Sequence, residues 1–315
     1  MKAVGCAHRP AWTRYPPMLI PDRLQTLIDD GFIQRVIRPL KSGKEAAVFI
    51  VESDGTFCAA KVYKEVHQRN FRQRQDYTEG RSTGDSRQDR AMSSGSRFGK
   101  QQNETAWQSA EADTMRKLNA AGVRCPKLRQ LADGVLLMDL VLDAEGQPAP
   151  QLASQSFTAE LAYRWHRGLM GEIARMLCAG VVHGDLSEYN ILRGPKGPVI
   201  IDFPQAIDAT KNNNAKRLLL RDVANVTRFF SRFSPDIRRT QYGEEMWLLY
   251  EQNALKPDTV LTGRFAQARG VVDAQVILRE IAAAKEGAAK RLEIKQLREE
   301  QKRDKLGRSS GRKSN

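Results

Sequence analysis

No stretch of this 315-residue chain approaches the roughly 20 consecutive apolar residues that a membrane-spanning helix needs. The opening residues, MKAVGCAHRPAWTRYPP, lack the apolar core of a secretory leader. A cytoplasmic protein with no membrane attachment is the expectation from these two absences. Cysteine is scarce. Cys6, Cys58, Cys125 and Cys178 are scattered, with no CxxC pair, so neither a zinc site nor a disulfide framework is expected, and buried free thiols are. Two glycine-rich signatures, GxxxxGK[ST] and GxGxxG, are also missing.

Acidic residues are outnumbered, 37 against 51 lysines and arginines, for a net charge of +14. A balance of this size suits an anionic partner such as RNA or a ribonucleoprotein particle, although surplus charge also keeps a protein soluble. The distribution favours a partner. Residues 64–100 and 285–313 hold much of the excess and read as two basic arms rather than an even coat. Hydrophobic residues make up 41%, enough for a proper core, and the length suits two lobes sharing a cleft plus tails.

The most informative stretch is VVHGDLSEYNILRGPKGPVIIDF, residues 181–203. It reads as an apolar entry, a polar loop, a strand, a Gly/Pro turn and a second strand. Asp185 follows His183 and Gly184, Asn190 lies five positions on, and Asp202 ends the run Val199-Ile200-Ile201. Taken singly, each is an ordinary turn or strand-end residue. Together they follow the order in which protein kinases place a catalytic aspartate, a metal-binding asparagine and a metal-binding aspartate. Phosphoryl transfer needs a carboxylate near the nucleophile and hard oxygen ligands for Mg²⁺.

Along the chain, residues 1–20 read as an irregular segment. Asp22 is expected to cap a short helix ending at Gly31, with Leu24, Leu27 and Ile28 on one face. Strand-like runs flank the turn Ser42-Gly43-Lys44-Glu45, whose backbone N–H groups can face phosphates, though taken by itself the stretch reads first as an ordinary hairpin turn. The strand Phe57–Tyr63 sets Lys61 among apolar residues, either snorkelling at an edge or ion-paired in a cleft. Ala59 shares its face and can floor a base pocket. Residues 64–104 are polar and read as a mobile loop with a helical turn near Phe71–Tyr77. A helix is expected over Thr105–Ala121, carrying Glu111 as the candidate partner of Lys61. Strands at Lys127–Leu131 and Val135–Leu142 follow, and Leu136–Val141, with Met138 and Val141, falls where an interlobe hinge belongs. A long helix over Phe157–Ala179 contains His166, read as structural. A helix over Ala215–Phe230 carries Asp222, placed to brace the 181–190 loop. From Leu278 to Leu306 the chain is helix-prone but highly charged, and residues 307–315 form a basic tail. The expected divisions are 1–20, a small lobe over 21–141, a helical lobe over 142–260 and a tail over 261–315.

The segments SGKEAAVF, AAKVYK, YTEGR, AGVRCP, HGDLSEYNIL, IIDFPQA and RDVANVTRFF, in this order, resemble the RIO family of atypical serine/threonine protein kinases over roughly residues 20–235. The body resembles the first RIO type, and DFPQ the second. The resemblance implies an α+β, two-lobed kinase-like fold with a β-rich small lobe, a mainly helical large lobe, a flexible basic loop and a basic tail. It implies ATP between the lobes, covered by Ser42 to Val48. Lys61 would bind phosphate and pair with Glu111. Asp185 would be the catalytic base, and Asn190 and Asp202 would hold Mg²⁺ or Mn²⁺. It further implies that Asp202 can accept the phosphate in an ATPase cycle, and it links the chain to maturation of the small ribosomal subunit. The motifs fix no oligomeric state.

The departures from ordinary kinases are informative. Gly184 stands where HRD has its arginine, and Pro204 where DFG has its glycine, fixing φ and removing an N–H. About ten residues separate Asp202 from the next helix, and no APE follows. RIO proteins share this reduction, which removes a peptide-docking segment but not ATP binding. Two other readings stand beside the kinase/ATPase. One is a ribosome- or RNA-binding assembly factor that uses ATP as a switch. The other is a small-molecule phosphotransferase of the aminoglycoside or choline kinase kind, which shares HGDLxxxN and the later strand-Asp.

Overall fold

In the computed structural model, which describes residues 10–13, 16, 18–43, 46–64 and 97–265, five strands form one antiparallel sheet. They are β1 (Arg35–Ser42), β2 (Ala46–Ser53), β3 (Thr56–Tyr63), β4 (Leu128–Ala132) and β5 (Val135–Asp139), in the order β1-β2-β3-β5-β4. Side chains alternate between the two faces of a strand, and the sequence uses both. Phe49, Val51, Cys58, Ala60, Val62, Val135 and Leu137 pack with Leu24 and Leu27 of helix α1 (Asp22–Asp29). Leu24 and Leu27 are almost fully buried, each worth about 1.5–3 kcal/mol of transfer free energy. Their opposite-parity neighbours, Val48, Ala59, Lys61 and Met138, face the interlobe cleft. Asp22 is the first residue inside α1 rather than its cap. Pro21 holds that position, with no side-chain cap.

Helix α2 (Arg97–Ala120) starts eight residues before the expected Thr105. The added turns come from the polar sequence RFGKQQNE, which carries no apolar stripe to announce a helix. Strand β5 stops at Asp139 instead of Leu142. The chain then makes an isolated bridge, Leu142 with Pro148, that carries it out of the sheet.

The large lobe is built on α3 (Ala159–Cys178), α4 (Ala215–Phe230) and α5 (Tyr242–Glu251). Thr158 caps α3 by accepting the Leu161 N–H at 3.3 Å. Phe157 meets Phe229, Phe230 and Phe233 edge-on, with ring centroids 5.5–6.2 Å apart. His166 is buried against Thr227 Oγ1 at 2.9 Å. Burial pushes it down to about 4, which keeps it neutral and structural, in line with its placement on an apolar helix face. Two small antiparallel pairs complete the lobe: β6 (Val181–Val182) with β9 (Ile207–Asp208), and the hairpin β7 (Ile191–Gly194) with β8 (Gly197–Ile200).

The expectations placed on Lys44 and Glu45, on residues 65–96 with their helical turn near Phe71–Tyr77, and on the charged stretch from 266 onward lie outside the described residues. No helix among the described residues is long and apolar enough to cross a membrane.

Candidate active site

Strand register assembles the upper wall. Val48 pairs with Lys61, Lys61 with Leu136, and Ala59 with Met138. Because β2, β3 and β5 are neighbours, Val48, Ala59 and Met138 make one apolar patch with Lys61 at its edge. Lys61 is only 7% exposed, and its ammonium donates to Glu111 Oε1 at 2.7 Å, Glu111 Oε2 at 3.0 Å and Asp202 Oδ1 at 2.6 Å. Burial alone would pull this lysine down, but Glu111 and then Asp202 more than reverse that, so it stays charged. Asp202 is held below the ordinary carboxylate range: partial desolvation in the cleft raises it, and the Lys61 charge and hydrogen bond overcome that. Glu111 is itself saturated. It accepts the Tyr63 hydroxyl, a partner that the sequence reading missed, and the Phe203 N–H at 3.3 Å. Tyr63 shares the strand parity of Lys61, a signal that was present in the sequence but not used.

The lower wall comes from the β7–β8 hairpin. Asn190 immediately precedes β7, and Ile201-Asp202 immediately follows β8. The Ile201 N–H donates to the Asn190 C=O at 3.0 Å, so the hairpin brings Asn190 and Asp202 together across twelve positions of sequence. Asp202 has φ +71, a left-handed conformation that Asp tolerates better than most residues. Its neighbour Phe203 is buried, with its ring 5.3 Å from that of His183, and its carbonyl accepts the Ala206 N–H past Pro204. His183 is buried and its pKa lowered by desolvation. Its Nε2 faces the Ile201 C=O at 3.0 Å and its Nδ1 accepts the Asp185 N–H at 3.3 Å, which fixes the neutral tautomer with the proton on Nε2.

Asp222 braces the loop from below, as its place on the helix led us to expect. Its Oδ2 accepts the Gly184 N–H at 2.7 Å and its Oδ1 the Leu186 N–H at 3.1 Å, one on each side of Asp185. Arg221 donates to the Gly184 C=O, and Asn225 to the Leu186 C=O at 3.2 Å. Gly184 has φ +79, a conformation in which the arginine of an HRD loop would be strained. Burial pushes Asp222 up to about 7, against the two N–H donors that favour its ionised form. Asn190 donates its amide N–H to the Asp185 C=O at 2.8 Å.

Together these groups enclose a cleft of about 860 Å³. Of the expected residues, Gly43, Val48, Ala59, Lys61, Glu111, Met138, Val141, Asp185, Asn190 and Asp202 all line it. Ser42 is not brought to the cleft wall. It ends β1, and its hydroxyl faces Lys64 Nζ at 3.4 Å while Lys64 donates to the Gly43 C=O at 2.7 Å. Its lining is mixed: apolar side chains (Val48, Ala59, Met138, Leu140, Val141, Leu192) stand beside the polar Lys61, Asp185, Asn190 and Asp202. Trp12 and Leu192, which also line it, had no signal in spacing or composition.

An antiparallel sheet with a buried lysine–glutamate pair, set over a helical lobe with this loop, defines the protein-kinase class of fold. A model of the RIO domain family matches residues 47–242. Among curated relatives, the RIO-type serine/threonine-protein kinase Rio1 of Haloferax volcanii is 34% identical over 211 residues, 67% of this chain and 68% of that protein. Its namesake in Methanocaldococcus jannaschii is 33% identical over 211 residues, 66% of this chain and 67% of that one. Among solved structures, the Rio2 kinase of Chaetomium thermophilum superposes with a TM-score of 0.53 at 23% identity, covering 84% of this chain and 76% of that one, a likeness of fold. The chain therefore belongs to the RIO family of serine/threonine kinases.

Proposed function

We propose that this enzyme transfers the γ-phosphoryl group of ATP, with the base in the apolar end of the cleft and the phosphates at Lys61. The observation that carries the reading is the Lys61 ammonium held between Glu111 and Asp202 beside the apolar patch of Val48, Ala59 and Met138 in one cleft. The cleft volume lies within the usual range of about 300–1,000 Å³ for small-molecule sites. A divalent ion fits the donor set. No cluster of three or more His, Cys, Asp or Glu side chains able to hold a metal occurs among the described residues. Asn190 and Asp202, whose side-chain oxygens are hard donors, would hold Mg²⁺ or Mn²⁺. When bound, the ion supplies charge neutralisation on the phosphates.

The chain's own groups divide the work. Val48, Ala59, Met138 and Val141 bind the base, with Gly43 and its turn, including Ser42, Lys44 and Glu45, over the phosphates. Lys61 orients the α- and β-phosphates, and Glu111 orients Lys61. Asn190 spends its amide N–H on the Asp185 carbonyl, which leaves its amide oxygen for the metal. Asp185, exposed to the cleft, takes the proton of a serine hydroxyl as the new P–O bond forms and ADP leaves. Asp202, its side chain 44% exposed, is the second candidate acceptor, through an aspartyl-phosphate that water would hydrolyse. The net charge of +14 supports a ribosomal particle or RNA as partner.

Incubation with γ-labelled ATP and Mg²⁺, without added substrate, tests the reading. Acid-stable label is expected for serine transfer, and hydroxylamine-labile label for transfer to Asp202. Phosphate release that survives Asp185→Ala and Asp202→Ala together would sink the proposal.

A further inference from the structure

Residues 10–13 precede the sheet and show no periodicity, yet they are tied into the cleft. Ala11–Thr13 form one tight turn, closed by the Thr13 N–H and hydroxyl on the Pro10 C=O at 2.9 and 2.7 Å. Trp12 is stapled at three points. Its indole N–H donates to the Gly146 C=O at 3.1 Å, its own C=O accepts Arg38 Nε–H at 3.2 Å, and its ring meets Phe57 edge-on at 4.9 Å. Arg38 belongs to β1 and Phe57 to β3, whereas Gly146 belongs to the turn that follows the interlobe hinge.

That turn is built to present its carbonyl. The Asp143 carboxylate accepts the Glu145 and Gln147 N–H groups at 3.0 and 2.8 Å, and Gly146 takes φ +73. Trp12 lines the same cleft as Met138 and Val141, and its ring partner Phe57 stands four positions from Lys61 along β3. Both polar groups of Trp12 named above are spent on protein partners, so what it offers the cleft is ring surface.

We infer that Trp12 is the outer wall of the base-binding end, so that a segment ahead of the kinase body is part of the nucleotide site. This inference rests on the phosphotransfer reading above. A ring with no spare donor recognises a flat aromatic base by contact alone. Trp12 thus adds affinity for the nucleoside moiety without choosing between purines.

The test is calorimetric titration of the full chain with adenosine, ADP and GDP, for wild type, Trp12→Ala and Trp12→Phe. Trp12→Ala is expected to weaken all three by about fivefold, the size of one aromatic contact. Trp12→Phe should retain most of the affinity while losing the nucleoside-induced change in tryptophan fluorescence, which shows that a folded variant reports the contact. Unchanged or tighter adenosine binding in Trp12→Ala would overturn the inference, as would a loss confined to the diphosphates or to one purine. A wild-type chain that binds neither adenosine nor ADP would overturn the phosphotransfer reading and this one with it. Wild-type binding that Trp12→Ala leaves intact would remove only the role of Trp12.

Discussion

Glu111 and Asp222 are two buried carboxylates, at 2% and 1% exposure, that solve the same problem differently. Glu111 is neutralised by a cation fifty positions away, with a phenol and one backbone N–H added. Asp222 accepts two backbone N–H groups, with Arg221 near enough to lower it slightly. An ammonium outweighs the burial cost, and backbone dipoles do not, which is why Asp222 is displaced upward and Asp202, facing the same lysine as Glu111, downward. The charge-paired carboxylate lines the cleft, and the dipole-held one lies behind the Gly184–Leu186 loop, outside the lining.

The sharpest way to break the contrast is Lys61→Ala. It leaves Glu111 buried without its cation, and unfolding free energy should fall by about 3 kcal/mol. That is the low end for a broken buried pair, because the Tyr63 hydroxyl and Phe203 N–H remain. Denaturant titration measures it, and phosphate release should fall at least about a hundredfold in parallel. A variant as stable as wild type would show that the pair is energetically neutral.

Asp222→Asn probes the other arrangement. The amide can accept only one of the two N–H groups and sets a donor against the other, so a loss of about 1–3 kcal/mol is expected. Turnover should fall more than nucleotide affinity, since Asp185 loses its bracing while the base end is untouched. Equal loss in both would argue that the brace shapes the whole cleft.

Acidity separates the two sites by sign. The folded value of Asp222 is raised from 3.8 to about 7, so its contribution to stability is complete below about 3.8 and is lost as pH rises towards 7. Asp202 is depressed, so its contribution is present above 3.8 and is lost as pH falls below that. Stability measured from pH 4 to 7 should therefore carry a downward component that Asp222→Asn abolishes. A slope unchanged in that variant would assign it elsewhere.

The smallest effect belongs to Tyr63→Phe. It deletes one donor to a carboxylate that keeps its cation, and about 1 kcal/mol should be lost in thermal or chemical unfolding. A loss as large as that of Lys61→Ala would make the phenol, rather than the ammonium, the main support of Glu111.

Much of this proximity was legible before any coordinates. Parity along one strand joins Ala59 and Lys61, and two short strands between Asn190 and Asp202 imply a hairpin that returns the chain to its start. The Asp222 brace was legible because an acid on an amphipathic helix beside a polar loop has few other uses. Three features were not. Trp12 lies in an irregular, proline-containing stretch where position depends on distant partners, namely Arg38, Phe57 and Gly146. The first two turns of α2 lack the apolar period that marks a packed helix. Tyr63 had the right parity, but a tyrosine at a strand end is ordinarily core.

The β7–β8 hairpin has a consequence for anyone who wants to watch this protein work. Register, not turn length, holds Asn190 beside Ile201, so the tip at Pro195-Lys196 is insulated from the cleft. Gly197 takes φ +131, a backbone conformation in which a side chain would be strained, so the turn favours glycine there. Lys196 is exposed and engages Arg124 only through its carbonyl. A reporter dye or a short peptide tag attached at Lys196 would ride on the ribbon that carries Asn190 and Asp202 while standing clear of both.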